Sequence, residues 1–200
     1  MQQHLIIFTR YPEPGKAKTR LIPTLGANGA ADLHRRMTEH TITQAKQIKT
    51  DCSISVYFTG GTIEQMQHWL GHDLQYQRQH HGDLGDRLIH AFQTAFIQGA
   101  SSTIAIGTDC PALTSELLTT AFDQLNNHDL TIGAALDGGY YLIGLRSCIP
   151  QLFKGIAWST DVVFDQTLTI AKQLRLSIFN LPVLNDIDRP EDLADLREWI

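Results

Sequence analysis

The stretch HLIIFTRYPEPGKAKTRL, His4–Leu21, sets the fold: a continuous apolar run that breaks into a loop of prolines, glycine and basic side chains. A run without polar alternation suits a strand buried on both faces, as in a parallel sheet. The loop holds Pro12, Pro14 and Gly15 among four basic residues, Arg10, Lys16, Lys18 and Arg20. It almost reads as a Walker phosphate loop, which requires G-x-x-x-x-G-K-[ST]. Ala17 follows Gly15-Lys16, and Arg10 stands where the first glycine is needed, so the motif fails at two required positions. What survives is a tight turn and a basic patch shortly before a helix, where backbone N–H groups and cationic side chains suit phosphate oxygens.

The rest of the chain repeats that rhythm. A helical pattern over Gly26–Thr50 has Ala30, Leu33, Met37, Ile42, Ala45 and Ile48 on one side. Cys52–Gly60 reads as a β-branched strand, and Thr62 as the cap of a short helix. Asp73–Gln79 reads as a strand, Asp86–Ala100 as an amphipathic helix, Ser102–Thr108 as a buried strand, and Ser115–Asn127 as a helix capped by Thr114 or Ser115. Such alternation predicts a largely parallel α/β sheet with helices on its faces. The rhythm then changes: DLTIGAALDGGYYLIGL, Asp129–Leu145, reads as two strands meeting at LDGGY with no room for a crossover helix. A helix over Asp161–Leu174, a strand over Arg175–Val183 and a closing helix over Arg189–Ile200 complete the pattern. No linker or repeat divides the 200 residues, so one domain over 1–200 is expected.

Composition narrows the function. A net charge of −5 argues against nucleic-acid binding across a basic face, and makes the four basic residues of the first loop a local concentration. Three cysteines, Cys52, Cys110 and Cys148, form no C-x-x-C pair, which points to neither a zinc site nor a disulfide framework. With no run approaching the ~20 apolar residues of a membrane span and no signal-peptide pattern, a cytoplasmic protein is expected. Nine histidines make no H-E-x-x-H, and neither a G-x-S-x-G elbow nor a G-x-G-x-x-G after the first strand occurs.

Parallel sheets bind ligands in loops at the carboxyl ends of their strands. Besides the first loop, two acidic clusters fall there. Asp109 ends an apolar strand in IGTDCP, where a carboxylate suits a divalent cation and a helix cap is the structural alternative. Asp186 and Asp188 in NDIDRPEDL precede a Pro-led helix, where capping explains acidic residues equally well. Asp137 with Gly138 and Gly139 fits a ligand contact or a plain hairpin turn. Trp158 and Ser159 lie at a possible helix start.

Taken together and in this order, FTRYPEPGKAKTRL, GDLGDRL, GTDCPALT, LDGGYYLIGL, WST and DIDRPEDL resemble the glycosyltransferase-A-fold superfamily. More closely, they resemble a bacterial family of glycosyltransferase-like proteins related to the 2-phospholactate and molybdopterin guanylyltransferases and to sugar-phosphate nucleotidyltransferases. The resemblance covers nearly the whole chain. It implies a single Rossmann-like three-layer α/β/α sandwich with a mostly parallel mixed sheet. It implies a transferase with a nucleotide or nucleotide-sugar donor, a small-molecule acceptor and Mg²⁺ or Mn²⁺. Thr9, Gly15, Lys16, Lys18 and Arg20 would then bind the nucleotide's phosphates, with Gly82, Asp83 and Gly85 near the nucleoside. Asp109 and Asp188, or Asp186 in its place, would hold the metal. Asp137, Gly138, Gly139, Trp158 and Ser159 would face acceptor or sugar, Asp137 being the base if the acceptor is a hydroxyl. The loop is not the G-G-x-G-x-R of nucleotidyltransferases, and a single Asp before Cys110 replaces the D-x-D of many glycosyltransferases, so donor type stays open. The rival class is a nucleotide-binding regulatory module without turnover.

Overall fold

The computed structural model describes residues 2–48 and 51–198. Seven strands form one sheet: β1 (Gln3–Arg10), β2 (Cys52–Thr59), β3 (Gln75–Arg78), β4 (Ser102–Ile106), β5 (Leu130–Ala134), β6 (Tyr140–Leu145) and β7 (Ile178–Asn180). Their spatial order is β3-β2-β1-β4-β6-β5-β7. Every pairing is parallel except those of β6, which runs against both β4 and β5. The hairpin at LDGGY thus inserts one reversed strand into a parallel sheet.

Five α-helices cover the two faces: α1 (Ile22–Lys46), α2 (Ile63–Leu70), α3 (Leu84–Ile97), α4 (Ser115–Gln124) and α5 (Val163–Gln173). Successive strand residues point to opposite sides, so Leu5, Ile7, Val56, Phe58, Ile104 and Ile106 pack with α1, α2 and α4. Ile6, Tyr57, Ala105, Ile132 and Ile143 pack with α3, α5 and the 3₁₀ turn Pro150–Phe153. Both faces are buried, which is why these strands read as unbroken apolar runs.

The helix ends follow their capping chemistry. The Thr62 hydroxyl accepts from Gln65 N–H while the Gln65 side chain accepts from Thr62 N–H, a reciprocal box. Thr114, rather than Ser115, caps α4 through Leu117 N–H at 3.3 Å. That leaves Asp109 out of the cap.

Several boundaries differ from the sequence expectation. The first helix begins at Ile22 and is broken by Gly26 at φ 70°; Lys49 and Thr50 lie outside the described residues. The strand expected over Arg175–Val183 shrinks to Ile178–Asn180, although Leu181 N–H still donates to Ile132 O. Pairing resumes at Leu184, whose N–H meets Ala134 O and whose carbonyl accepts from Leu136 N–H. The closing helix is a 3₁₀ segment over Pro190–Glu198, with Trp199 and Ile200 outside the described residues. Leu193 and Leu196 of that segment pack into the core formed with Leu21, Ala30, Leu33, Met37 and Ile187.

Candidate active site

The strand order reverses between β1 and β4, and the crevice of such a sheet opens outside the carboxyl ends of those two strands. β1 continues past its pairing with β4, so the loop after Arg10 and the loop after Ile106 flank the same opening.

The first loop is a compact turn. Lys16 and Ala17 N–H both donate to Glu13 O, at 3.0 and 3.2 Å, and Ala17 is buried. Those two amides are therefore committed within the turn. The Arg10 guanidinium donates to Lys16 O, and the Lys16 ammonium pairs with Glu13 at 2.9 Å. Lys18 adopts the left-handed conformation at φ 47°, uncommon for a residue with a Cβ and costing about 1 kcal/mol or more. Its side chain turns inward and is only 3% exposed.

The Lys18 ammonium is held by oxygens alone. It lies 3.0 Å from Asp109 Oδ1 and 3.6 Å from Asp188 Oδ1, and it donates to Ile187 O. The Arg20 guanidinium pairs with the other oxygen of Asp188. Residues roughly 170 positions apart thus meet at one point. The meeting is enforced by backbone: after β7 the chain runs along β5, and Ile187 N–H donates to Asp109 O at 2.8 Å. The Ile187 side chain is buried beneath the loop with Leu21.

The capping alternative for Asp188 does not hold. Asp192 reaches back instead, accepting from Asp188 N–H at 3.0 Å and Arg189 N–H at 2.7 Å. The Asp188 carboxylate is thereby left to face Lys18 and Arg20. Of the two aspartates that the sequence left open, Asp188 reaches the cations, while Asp186 lines a neighbouring cavity.

Thr9, Lys16, Lys18, Arg20, Asp109 and Asp188 line one polar cavity of about 520 Å³. Thr9 is buried and shares hydrogen bonds with Thr38 and Thr108, tying β1 to α1 and to the loop after β4. His34 and Gln79 are among the lining residues that escaped the sequence reading. His34 on α1 donates through Nε2–H to Arg10 O, 3.0 Å away, and places Nδ1 4.0 Å from Asp109. Burial holds its pKa below the usual range, with Asp109 working against that shift. Gln79 spans Thr9 O and Tyr57 O with its amide and accepts from Arg87. A polar residue on the buried stripe of α1 was the available clue to His34; Gln79 carried none.

Gly82, Asp83 and Gly85 build the start of α3. The Asp83 carboxylate accepts from Asp86 N–H in a second capping box. Leu84, between Asp83 and Gly85, lines the polar cavity. A Cβ on Gly85 would lie 2.4 Å from Phe153 O and 2.8 Å from Trp158 Nε1, so only glycine lets α3 approach that turn. Gly85→Ala is expected to cost about 1–3 kcal/mol in urea unfolding; an unchanged midpoint would show that the turn yields freely.

Asp137, Gly138 and Gly139 form the β5–β6 turn. The Asp137 carboxylate accepts from Gly139 N–H at 2.8 Å and is exposed. Gly138 sits at φ 88° with Asp161 backbone atoms 2.1–2.5 Å from where a Cβ would be, so this glycine seats the approach to α5. Trp158 meets Tyr140 edge-on at 6.4 Å, and Ser159 is exposed at left-handed φ. None of these five lines the polar cavity among the described residues. Burial foremost, then the charges of Asp109 and Asp137, push Asp186 up to about 7, with Lys18 opposing.

Residues 41–160 match the model of the DUF2064 family, described as uncharacterized proteins conserved in bacteria. The chain belongs to that family. Among solved structures it is similar to a candidate nucleotide-diphospho-sugar transferase from Desulfovibrio desulfuricans G20, at 35% identity and TM-score 0.89, covering 94% of this chain and 82% of that one. The fold extends to a CMP:2-keto-3-deoxy-manno-octonic acid synthetase complexed with CTP, at 12% identity and TM-score 0.64, covering 100% and 98%. It also extends to Rv0371C of Mycobacterium tuberculosis H37Rv in complex with manganese, at 14% identity and TM-score 0.57, covering 100% and 99%. No curated protein matches the chain. This DUF2064 chain thus has the mixed, mostly parallel sheet of the glycosyltransferase-A and nucleotidyltransferase fold. Among its described residues no helix is long and apolar enough to cross a membrane.

Proposed function

We propose that this DUF2064 chain is a divalent-metal-dependent transferase with a nucleotide donor, whose phosphates bind in the polar cavity between the loops after β1 and β4. One observation carries the reading: Asp109 Oδ1, Asp188 Oδ1 and Ile187 O converge on a single cationic atom, with a second cation beside them. Paired cations and carboxylates at a switch point are the parts that a metal–diphosphate needs. The 35%-identical relative named for nucleotide-diphospho-sugars supports the donor class, and the distant CTP and manganese complexes agree with it.

The residues present fit Mg²⁺ or Mn²⁺. The donor set is hard oxygen, and it already surrounds a cation. Among the described residues no group of three or more acidic, histidine or cysteine side chains could hold a metal without other ligands. Two carboxylates, with water and substrate phosphates completing the shell, is the usual arrangement for Mg²⁺. Asp109 and Asp188 would hold the ion, which when bound neutralises phosphate charge. Lys18 and Arg20 bind the diphosphate oxygens and stabilise the charge that develops as the diphosphate leaves. Buried Thr9 and Thr108 keep the loops in register. No side chain need form a covalent intermediate.

A thermal-shift screen of nucleoside di- and triphosphates and nucleotide-sugars, with Mg²⁺ or Mn²⁺, tests this. A ligand at one hundred times its Kd stabilises by about 2.7 kcal/mol, or roughly 5–10 °C in a chain this size. No shift with any nucleotide and metal would overturn the reading. A shift without transfer to any acceptor would favour a nucleotide-binding regulatory module.

A further inference from the structure

Arg10, Lys16, Lys18 and Arg20 all line the polar cavity, but they are not equally free. Lys16 pairs with Glu13 at 2.9 Å, Lys18 with Asp109 and Asp188, and Arg20 with Asp188. Arg10 pairs with no carboxylate among the described residues. Its guanidinium donates from Nη1 to the backbone carbonyl of Lys16. That acceptor is neutral, so the Arg10 charge stays uncompensated. A guanidinium carries five N–H donors in a planar fork, so the Nε–Nη2 edge is left for another acceptor. Such an edge presents two parallel donors, the geometry that phosphate oxygens take bidentately.

The mounting of Arg10 differs from that of the other three. Arg10 is the last residue of β1, on the same face of the strand as Phe8, which lines the same cavity. The backbone around it is pinned. Its carbonyl accepts from Nε2–H of the buried His34 at 3.0 Å, and Tyr11 N–H donates to Thr59 O at 2.9 Å. Lys16, Lys18 and Arg20 stand on the loop beyond, and Arg10 holds that loop from the sheet through Lys16 O. An anion that binds Lys18 or Arg20 must share them with carboxylates. One that binds Arg10 breaks no ion pair, and Arg10 is exposed enough to receive it.

We infer that Arg10 is a phosphate ligand of the donor: its Nε–Nη2 edge takes two phosphate oxygens while Nη1 keeps the Lys16 carbonyl. One planar side chain then ties the bound phosphate to the loop that carries Lys18 and Arg20. This rests on the proposed function and adds to it a residue that reads phosphate geometry and not charge alone. Lysine at this position keeps the charge but offers a single nitrogen, which cannot reproduce the fork.

The test uses the full chain with Mg²⁺. Calorimetry compares inorganic pyrophosphate with UDP, GDP, CDP and ADP, for the wild type and for Arg10→Gln, Arg10→Lys and Arg36→Gln. Arg10→Gln is expected to weaken every diphosphate that binds the wild type by about tenfold to a hundredfold, and Arg10→Lys by about tenfold. Arg36→Gln removes the same unit of charge from α1, where Arg36 pairs with Asp32 at the surface, and is expected to stay within about twofold of the wild type. Near-UV circular dichroism verifies that the variants are folded. A direct contact is read by ¹⁵N-arginine NMR. The Arg10 Nε–H resonance, assigned by its absence in Arg10→Gln, is expected to move on addition of pyrophosphate and to exchange more slowly with water. A residue that only fastened the loop would keep its resonance in place. If pyrophosphate binds and no nucleoside diphosphate does, the nucleotide donor is overturned and the pyrophosphate titrations still decide the role of Arg10. If neither binds the wild type, both are overturned. Wild-type affinity in Arg10→Gln, full rescue by lysine, an equal loss in Arg36→Gln, or an unmoved Nε–H resonance would each overturn the inference alone.

Discussion

Lys18→Met is expected to weaken binding of a nucleoside diphosphate with Mg²⁺ by about tenfold to a hundredfold, and at the same time to tighten Mn²⁺ binding in the absence of nucleotide by about tenfold. The two effects have opposite sign because Lys18 has two sets of partners. Toward the donor it is a cation for phosphate oxygens, and a charge-assisted hydrogen bond contributes about 1.5–3 kcal/mol. Toward the protein it is the cation that Asp109, Asp188 and Ile187 O already surround. An ion approaching those carboxylates competes with the ammonium at 3.0 Å, and methionine removes the competitor while keeping the length of the side chain. It also leaves two carboxylates facing one point, which raises their appetite for a cation. Isothermal titration with MnCl₂ alone reads the second effect. Were Lys18 only a phosphate ligand, Mn²⁺ affinity would not move, and that result would refute the shared position. Folding should suffer moderately. The ammonium is buried, but its carboxylate partners are 45% and 33% exposed, so water takes up part of the lost pairing. Release of the left-handed strain is not expected to offset it, since methionine carries a Cβ as well.

The sheet was legible because its strands are buried on both faces: HLIIFT and STIAI leave no other reading, and the reversed strand announced itself where LDGGY left no room for a crossover. Asp109 was legible for the same reason, as a carboxylate directly after an apolar run. The partnership was not. Nothing local says that Lys18 meets Asp188, because that contact depends on Ile187 N–H bonding Asp109 O and on the Ile187 side chain entering the core under the loop. The capping alternative for Asp188 could be set aside only once Asp192 was seen to cap both N–H groups. Spacing could not show that Asp186, two residues earlier, belongs to a different cavity. A segment outside any regular strand has no period-two rule to assign its side chains.

Asp109→Asn is expected to uncouple nucleotide binding from the metal and to lower any transfer rate by about a hundredfold to a thousandfold, the scale seen when one preorganised electrostatic partner of a transition state is removed. In the wild type, adding Mg²⁺ should tighten the diphosphate. In the variant, the affinity with Mg²⁺ should fall to that measured with a chelator. Asparagine keeps the shape, and the backbone carbonyl of residue 109 still receives Ile187 N–H, so the loop stays in place. The cap of α4 is Thr114, not Asp109, so global stability should change by less than about 1 kcal/mol. Thr114→Ala supplies the converse. It removes the cap, costs about 1 kcal/mol, and leaves the metal dependence intact. Asp188→Asn should act in the same direction as Asp109→Asn but less strongly, because it also releases the exposed Arg20 from its carboxylate and frees that guanidinium for the phosphates. If Asp109→Asn destabilised the fold as Thr114→Ala does and kept its response to Mg²⁺, Asp109 would be structural, and the convergence of oxygens on Lys18 would be an ion pair and nothing more.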